Sequence, residues 1–328
     1  MTFFSTIPGA LILLVVGFVF LIKGADFFVE GASAVAKKLH VPPLVIGMTI
    51  VAMGTSLPEL SVSVTASIAG SNQLAIGNVV GSNIFNLMVV LGSCALFSSL
   101  KVSDETIKKD LPFSEFCALL LIGMGVIGNS VGHIDGAILL IIFAIFLGSM
   151  LRNAMKSRIN EAANSEKAKE KETVDIPTLL CIIYIIGGAI AIKFGGDWVV
   201  DSCTTLALKF GMSETLVGLT IVALGTSLPE LVTSIVAAKK NELDMAIGNV
   251  VGSNIFNILL ILGAAGAISP MVFMTVNAID TFILVAFSVI VGLMCMKKKN
   301  LNKTDGIIML ILYAAYLLYI IVRDGEIS

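Results

Sequence analysis

The chain has 328 residues, of which 57% are hydrophobic and only 13% are charged. Because soluble domains carry roughly 25% charged residues, this composition excludes an ordinary soluble protein and indicates a membrane protein with several spans. The formal net charge of −2 gives no indication of a nucleic-acid partner.

The apolar runs predict ten membrane spans, since a helix needs about 20 mostly apolar residues to cross a bilayer. No charged segment precedes the first run, which favours a span over a cleaved signal peptide. The first and sixth runs are long enough to be tilted or to extend past the membrane. The predicted spans are 7–35, 42–69, 73–98, 113–129, 133–151, 177–207, 213–238, 244–268, 272–296 and 305–322.

Two blocks of sequence occur twice, 171 residues apart. AIGNVVGSNIFN stands unchanged at 75–86 and 246–257, and GMTIVAMGTSLPEL at 47–60 has the near-copy GLTIVALGTSLPEL at 218–231. Duplication of this kind indicates two halves with one architecture. The repeated residues are polar and acidic although they lie within apolar runs, which points to a buried site shared between the halves.

The basic residues orient these halves. Of nineteen Lys and Arg residues in the predicted connections, all but Lys209 and Arg323 follow odd-numbered spans. Cytoplasmic loops are enriched in Lys and Arg, so we expect a plasma-membrane protein with both termini extracytoplasmic. The prediction is an all-α polytopic membrane protein of ten transmembrane helices in two inverted five-helix repeats. Its parts are a first repeat at 1–151, a charged cytoplasmic linker at 152–176 and a second repeat at 177–328.

Inverted repeats of this type are common in secondary transporters, whose substrates bind near the bilayer midplane. A cation channel can also be built from inverted halves, so the symmetry alone does not decide between the two. An enzyme is not indicated, because the sequence has no nucleophile–base pair and no intramembrane zinc or aspartyl motif.

A proline inside each repeated block predicts a broken helix. Pro58 and Pro229 have no N–H to donate to the carbonyl four residues earlier, and their rings crowd it. We expect neighbouring carbonyls to be loosened as well, including those of Ala52 and Ala223. In a bilayer such groups must face protein or a wet cavity, where they suit hard cations.

An acid follows each proline. Glu59 and Glu230 lie inside predicted spans, where a carboxylate costs roughly 2.5–3.5 kcal/mol on insertion scales. Two such penalties favour a compensating cation or proton. Among the other acids, Asp26 and Asp197 lie toward the ends of their spans and indicate a helix-end or inter-repeat contact.

Hydroxyl and amide groups accompany each acid at helical spacing. They supply only oxygen ligands, which favour Ca²⁺ and Na⁺ over zinc or copper. Asn78 and Asn249 are predicted to cap or brace the broken helices. The candidate metal ligands are Glu59, Glu230, Thr55, Ser56, Ser82, Thr226, Ser227, Ser253, Ala52, Ala223, Asn86 and Asn257.

The GTSLPE and GNVVGSNIFN blocks closely resemble the two alpha-repeats of the sodium/calcium exchangers, in the calcium/cation antiporter superfamily. The resemblance covers both halves and indicates a compact prokaryotic-type member, since the linker is too short for the large calcium-sensing insert of the animal exchangers. It implies Na⁺-driven Ca²⁺ antiport by alternating access, with Glu59 and Glu230 as the acids that bind both ions. The bilayer and the transported ions are then the partners; neither a cofactor nor an obligatory protein partner is implied.

Two details bear on the coupling ion. Some family members carry an aspartate where this chain has Asn257, which leaves the number of exchanged Na⁺ ions open and disfavours K⁺ cotransport. Proton-coupled relatives carry an acid close behind a Gly-Asn pair, whereas Gly77-Asn78 and Gly248-Asn249 have none after them. An H⁺/Ca²⁺ antiporter is the alternative, because a buried glutamate can also carry a proton.

Overall fold

The computed structural model describes residues 6–70, 72–165, 176–212 and 223–327. Within these ranges eight helices are long and apolar enough to span a membrane, and a ninth span results if Pro43–Thr55 and Leu57–Ile68, which meet at 50°, count as one. A mostly helical membrane protein is therefore confirmed. The seventh predicted span, 213–238, begins outside the described residues, so the count of ten stays a prediction.

The helices follow the predicted order. They are α1 (Ile7–Leu39), α2 (Pro43–Thr55), α3 (Leu57–Ile68), α4 (Leu74–Phe97), α5 (Thr106–Gly128), α6 (His133–Ser165), α7 (Thr178–Lys209), α8 (Ala223–Gly225), α9 (Leu228–Lys239), α10 (Leu243–Ile268), α11 (Thr275–Lys298) and α12 (Lys303–Ile327).

The prediction of an all-α chain needs one correction, because four two-residue strands lie in the connections. They are β1 (Leu100–Lys101), β2 (Ser130–Val131), β3 (Met271–Val272) and β4 (Asn300–Leu301), and they pair antiparallel as β1 with β4 and β2 with β3. These pairs satisfy backbone groups where the helices end. Each joins one repeat to the other.

Helix α6 continues beyond its predicted span into the linker at 152–176, of which residues 166–175 lie outside the description. Neither Gly nor Pro occurs between Ser149 and Ser165, and the Lys, Arg, Glu and Ala residues there favour a helix. A charged composition marks where the apolar span ends, but it does not end the helix.

Helices α4 and α10 lie at the centre of the protein. In each, 78% of the most apolar window is buried, against 22–28% in the other six single spans. These are the two helices that carry the identical AIGNVVGSNIFN segment. The duplicated sequence therefore occupies the core, and the remaining helices present apolar side chains outward, as a lipid environment requires.

Glycines allow α1 and α7 to pack closely along their length. A Cβ atom at Gly188 would lie 2.8 Å from the Gly24 carbonyl oxygen, and one at Gly195 would lie 2.5 Å from the Leu21 nitrogen. Small residues at such contacts let membrane helices approach backbone to backbone. The two long helices thus form a pair that flanks the core.

We predict that Gly188→Ala destabilises the protein while Gly187→Ala does not. Gly188 is buried against Phe28, whereas a Cβ at its exposed neighbour Gly187 would meet no atom within 4 Å. Overpacking of this kind costs about 1–3 kcal/mol. Melting of the two purified variants in detergent checks the expectation, and equal melting temperatures would contradict it.

Candidate cation site

Both prolines break their helices where the sequence predicts. Helix α2 ends at Thr55 and α3 begins at Leu57, with Ser56 between them at φ −83° and ψ 10°. The second break has the same form, since Ser227 at φ −92° and ψ 5° precedes α9. The break orients the first turn of α3 and of α9 toward the core.

Each glutamate lies in one of these first turns. Glu59 belongs to α3 and Glu230 to α9, and both have 0% of their surface exposed. The N-terminus of a helix favours negative charge. In the part of the chain that the structure describes, no Lys, Arg or His forms an ion pair with either carboxylate. Two acids are therefore buried, and no described residue supplies their counter-charge.

Serines from the opposite repeat hold the glutamates. Ser227 donates a hydrogen bond to Glu59 Oε1 over 3.1 Å, and Ser56 donates one to Glu230 Oε1 over 2.9 Å. Ser82 Oγ from α4 lies 3.5 Å from Glu59 Oε1. Because each acid depends on a hydroxyl from the other half, the two repeats build one site rather than two.

Several oxygens at this site have no hydrogen-bond partner among the described residues. They include the second carboxylate oxygen, Oε2, of both glutamates, as well as Ser253 Oγ and the Oδ1 atoms of Asn86 and Asn257. Buried polar atoms without partners are rare and unfavourable in proteins. Carboxylate, hydroxyl and amide oxygens suit a hard cation such as Ca²⁺ or Na⁺. The donor set therefore fits the cargo that the sequence predicts.

Asn86 and Asn257 lie where their helices change geometry. Both are fully buried, and each is the first residue of a π-helical stretch, Asn86–Val90 in α4 and Asn257–Leu262 in α10. π-Helical turns inside α-helices occur frequently at functional sites. The sequence indicated these asparagines, although it gave no sign of the π-helical geometry.

The Ala52 carbonyl keeps its partners. It accepts a hydrogen bond from the Ser56 nitrogen at 3.0 Å, and Thr55 Oγ1 lies 3.4 Å from it, so the expected loosening of this carbonyl is wrong. The reason is that α2 still completes its last turn before the break. A cation bound there would share the oxygen with the Ser56 N–H group. The surroundings of Ala223 lie outside the described residues.

A buried asparagine braces the first break. Asn249 of α10 accepts a hydrogen bond from Thr55 Oγ1 through its Oδ1 at 3.1 Å, and its Nδ2 donates to Ser234 Oγ at 2.9 Å. The Thr55 hydroxyl also lies 3.1 Å from the Val51 carbonyl oxygen. Asn249 thus links α2, α10 and α9, which is a bracing contact of the predicted kind.

The other repeat makes the equivalent contacts. Thr226 Oγ1 lies 3.4 Å from Asn78 Oδ1, and Asn78 Nδ2 donates to Ser63 Oγ at 3.0 Å. Ser63 and Ser234 were not among the predicted site residues. Their signal was available, because they stand 171 residues apart like the two glutamates.

Comparison with known proteins decides the family. A model of the family described as "Sodium/calcium exchanger protein" matches residues 9–152 and 180–322, in both repeats. The chain belongs to this family. It is therefore a multi-pass membrane transporter of the Ca²⁺/cation antiport type and not an enzyme.

Individual exchangers and antiporters are similar over nearly the whole chain. The putative antiporter CaxA of Alkalimonas amylolytica is 37% identical, with 94% of this chain and 97% of that protein covered. The sodium/calcium exchanger MaX1 of Methanosarcina acetivorans is 31% identical, with 93% of this chain and 97% of that protein covered. A structure of the sodium–calcium exchanger NCX_Mj, soaked with zero Na⁺ and Ca²⁺, superposes on this chain with a TM-score of 0.83 at 30% sequence identity. The superposition covers 96% of this chain and 100% of the NCX_Mj chain.

We predict that Asn249→Ala destabilises the fold more than Asn78→Ala. The two asparagines have the same sequence context, but Asn249 is 0% exposed and Asn78 is only half-buried. Leaving buried hydrogen-bonding groups unpaired costs about 1–3 kcal/mol, and water relieves that cost where it has access. Denaturation of both variants in detergent checks this order, and a larger loss in Asn78→Ala would contradict it.

Proposed function

We propose that the protein exchanges Na⁺ for Ca²⁺ across the membrane, by alternating access to one all-oxygen site around Glu59 and Glu230. The observation that carries the proposal is the pair of fully buried carboxylates. Each has one oxygen held by a serine of the other repeat and one oxygen that no described residue contacts by a hydrogen bond. Such an arrangement offers negative charge that only a mobile cation can balance.

Charge explains why transport is coupled. Without a cation the site holds two carboxylates, and enclosing them in a low-dielectric interior is strongly unfavourable. One Ca²⁺ balances both acids, and Na⁺ ions do so together. Occupancy by either ion therefore lowers the free energy of the closed state through which the site changes sides. Closure with a bound cation favours exchange over leak.

The proposed ligands are those that the sequence suggests. The two Glu Oε2 atoms form the charged part of the site, and the hydroxyl and amide oxygens complete it. The set comprises Glu59, Glu230, Thr55, Ser56, Ser82, Thr226, Ser227, Ser253, Asn86 and Asn257, with the carbonyl oxygens of Ala52 and Ala223.

The two repeats are proposed to be inverted, with ten spans in total. Reciprocal contacts at equivalent positions support a two-fold relation: Ser227 to Glu59 matches Ser56 to Glu230, and β1 with β4 matches β2 with β3. The distribution of Lys and Arg supports a plasma-membrane orientation with both termini outside and 152–176 in the cytoplasm.

Sodium is the proposed coupling ion because the similar proteins MaX1 and NCX_Mj are named sodium/calcium exchangers. The absence of an acid after Gly77-Asn78 and Gly248-Asn249 supports the same choice. A flux measurement with different imposed gradients separates this choice from its alternatives, a proton-coupled antiporter and a channel.

The test is ⁴⁵Ca²⁺ flux in proteoliposomes with imposed Na⁺, K⁺ or H⁺ gradients. We expect uptake to follow the outward Na⁺ gradient and to fall at least about a hundredfold in Glu59→Gln and in Glu230→Gln, because unbalancing a buried charge site costs about 3–5 kcal/mol. Glu105→Gln is the matched control, since Glu105 is exposed and pairs with Lys109 at 2.8 Å.

Three results would contradict the proposal. Uptake that follows a pH gradient and ignores Na⁺ would make the protein a proton-coupled antiporter. Single-channel currents far above transporter turnover would make it a channel. Near-normal Na⁺-driven uptake in both glutamine variants would remove Glu59 and Glu230 from the site.

The reciprocal serines provide a separate prediction. We expect Ser56→Ala and Ser227→Ala each to weaken Ca²⁺ binding about tenfold or more, because a hydrogen bond to a charged group contributes about 1.5–3 kcal/mol. Ser202→Ala is the control, since Ser202 is equally buried but donates to the Trp198 carbonyl of its own helix. Calorimetric titration of Ca²⁺ into the purified variants measures the effect; equal affinities in all three would refute it.

A further inference from the structure

Two asparagines clamp α4 against α10 beside the site. Asn83 Nδ2 donates to the Asn254 carbonyl oxygen at 3.1 Å, and Asn254 Nδ2 donates to the Asn83 carbonyl oxygen at 3.2 Å. Both residues are buried, with 1% and 4% of their surface exposed. Each amide satisfies a backbone oxygen of the other helix, so this pair fixes how the two central helices cross.

The clamp is symmetric, but a further hydrogen bond to its asparagines is present on only one side. Asn257 Nδ2 donates to Asn83 Oδ1 at 2.9 Å. The equivalent contact would join Asn86 Nδ2 to Asn254 Oδ1, yet within the described chain neither of these atoms has a hydrogen-bond partner. Asn83 therefore uses both ends of its amide and Asn254 only one, although both lie in the same twelve-residue sequence.

This difference determines which end of the Asn257 amide faces the site. The amide is planar, so holding Nδ2 at Asn83 also fixes the direction of Oδ1. Asn257 Oδ1 is buried and has no hydrogen-bond partner in the described part of the chain, and the same holds for Ser253 Oγ one helical turn earlier. An oxygen attracts a cation, whereas a flipped amide would present N–H groups and repel it. The hydrogen bond to Asn83 opposes that flip.

We propose that Asn83 is a positioning residue that holds the Asn257 amide with its oxygen toward the bound cation and thereby sets the affinity for Na⁺. Asn254 contributes to the clamp but positions no other side chain. The inference rests on the proposed Na⁺/Ca²⁺ exchange. Na⁺ is the sensitive ion because Ca²⁺ obtains most of its binding from the two carboxylates, whereas several Na⁺ ions share those charges and depend more on neutral oxygens.

The chain provides a matched pair of variants to test this role. Asn83→Ala and Asn254→Ala each remove one clamping hydrogen bond, but only Asn83→Ala releases Asn257. We expect the Na⁺ concentration for half-maximal ⁴⁵Ca²⁺ exchange to rise about fivefold to tenfold in Asn83→Ala and less than twofold in Asn254→Ala. The KM for Ca²⁺ should change less than twofold in both. Melting temperatures should fall in both, and further in Asn83→Ala, which also loses the hydrogen bond from Asn257.

A double-mutant cycle separates positioning from general loosening. In an Asn257→Ala background, Asn83→Ala should no longer weaken the stabilisation that Na⁺ gives against thermal unfolding, because its effect passes through Asn257. This readout needs no transport. If alanine at position 83 prevents folding, the nearly isosteric Asn83→Leu is compared with Asn254→Leu in the same way.

The possible failures differ. Equal shifts in Na⁺ half-saturation for the position-83 and position-254 variants, or an undiminished effect of Asn83→Ala without Asn257, would overturn the role of Asn83 while leaving exchange intact. A wild-type protein with neither Na⁺-dependent flux nor Na⁺-dependent stabilisation would overturn the proposed function, and the positioning role with it.

Discussion

Two buried acids that form no ion pair with any described residue constrain the whole structure. Glu59 and Glu230 are fully enclosed, and the described residues offer them serine hydroxyls and helix N-termini but no ion pair. Hydrogen bonds and helix dipoles reduce the penalty of burying a carboxylate but do not cancel its charge. In the proposed function, a small cation supplies the rest of the compensation that these acids need.

The duplicated sequence has a structural reason. Each glutamate is held by the serine that precedes the other glutamate by three residues, so a change in one block disturbs the acid of the other. The bracing asparagines follow the same rule, since Asn249 contacts Thr55 and Asn78 contacts Thr226. Neither repeat contains a complete site. This mutual dependence accounts for two blocks with nearly the same residues at the same spacing.

The helix breaks and the buried acids were predictable from the sequence because their causes are local. Proline in a span breaks a helix, and an acid beside the break must be compensated, so Pro58 and Glu59 indicate the site from the amino-acid sequence alone. The partners were not predictable, because packing between the repeats selects them. Periodicity placed Ser56 on the face of Glu59, whereas its hydroxyl donates to Glu230. The end of α6 was missed for another reason, since hydropathy locates the membrane boundary and not the end of a helix.

Identical sequence does not impose identical surroundings. The segments 75–86 and 246–257 have the same twelve residues, yet Asn83 accepts a hydrogen bond from Asn257 while Asn254 accepts none from Asn86. One conformation of two equivalent halves has to be asymmetric if access is to alternate, because a site equally open or equally closed on both faces has no direction. The Asn257–Asn83 contact is one such asymmetry, and it leaves the symmetric clamp between α4 and α10 intact.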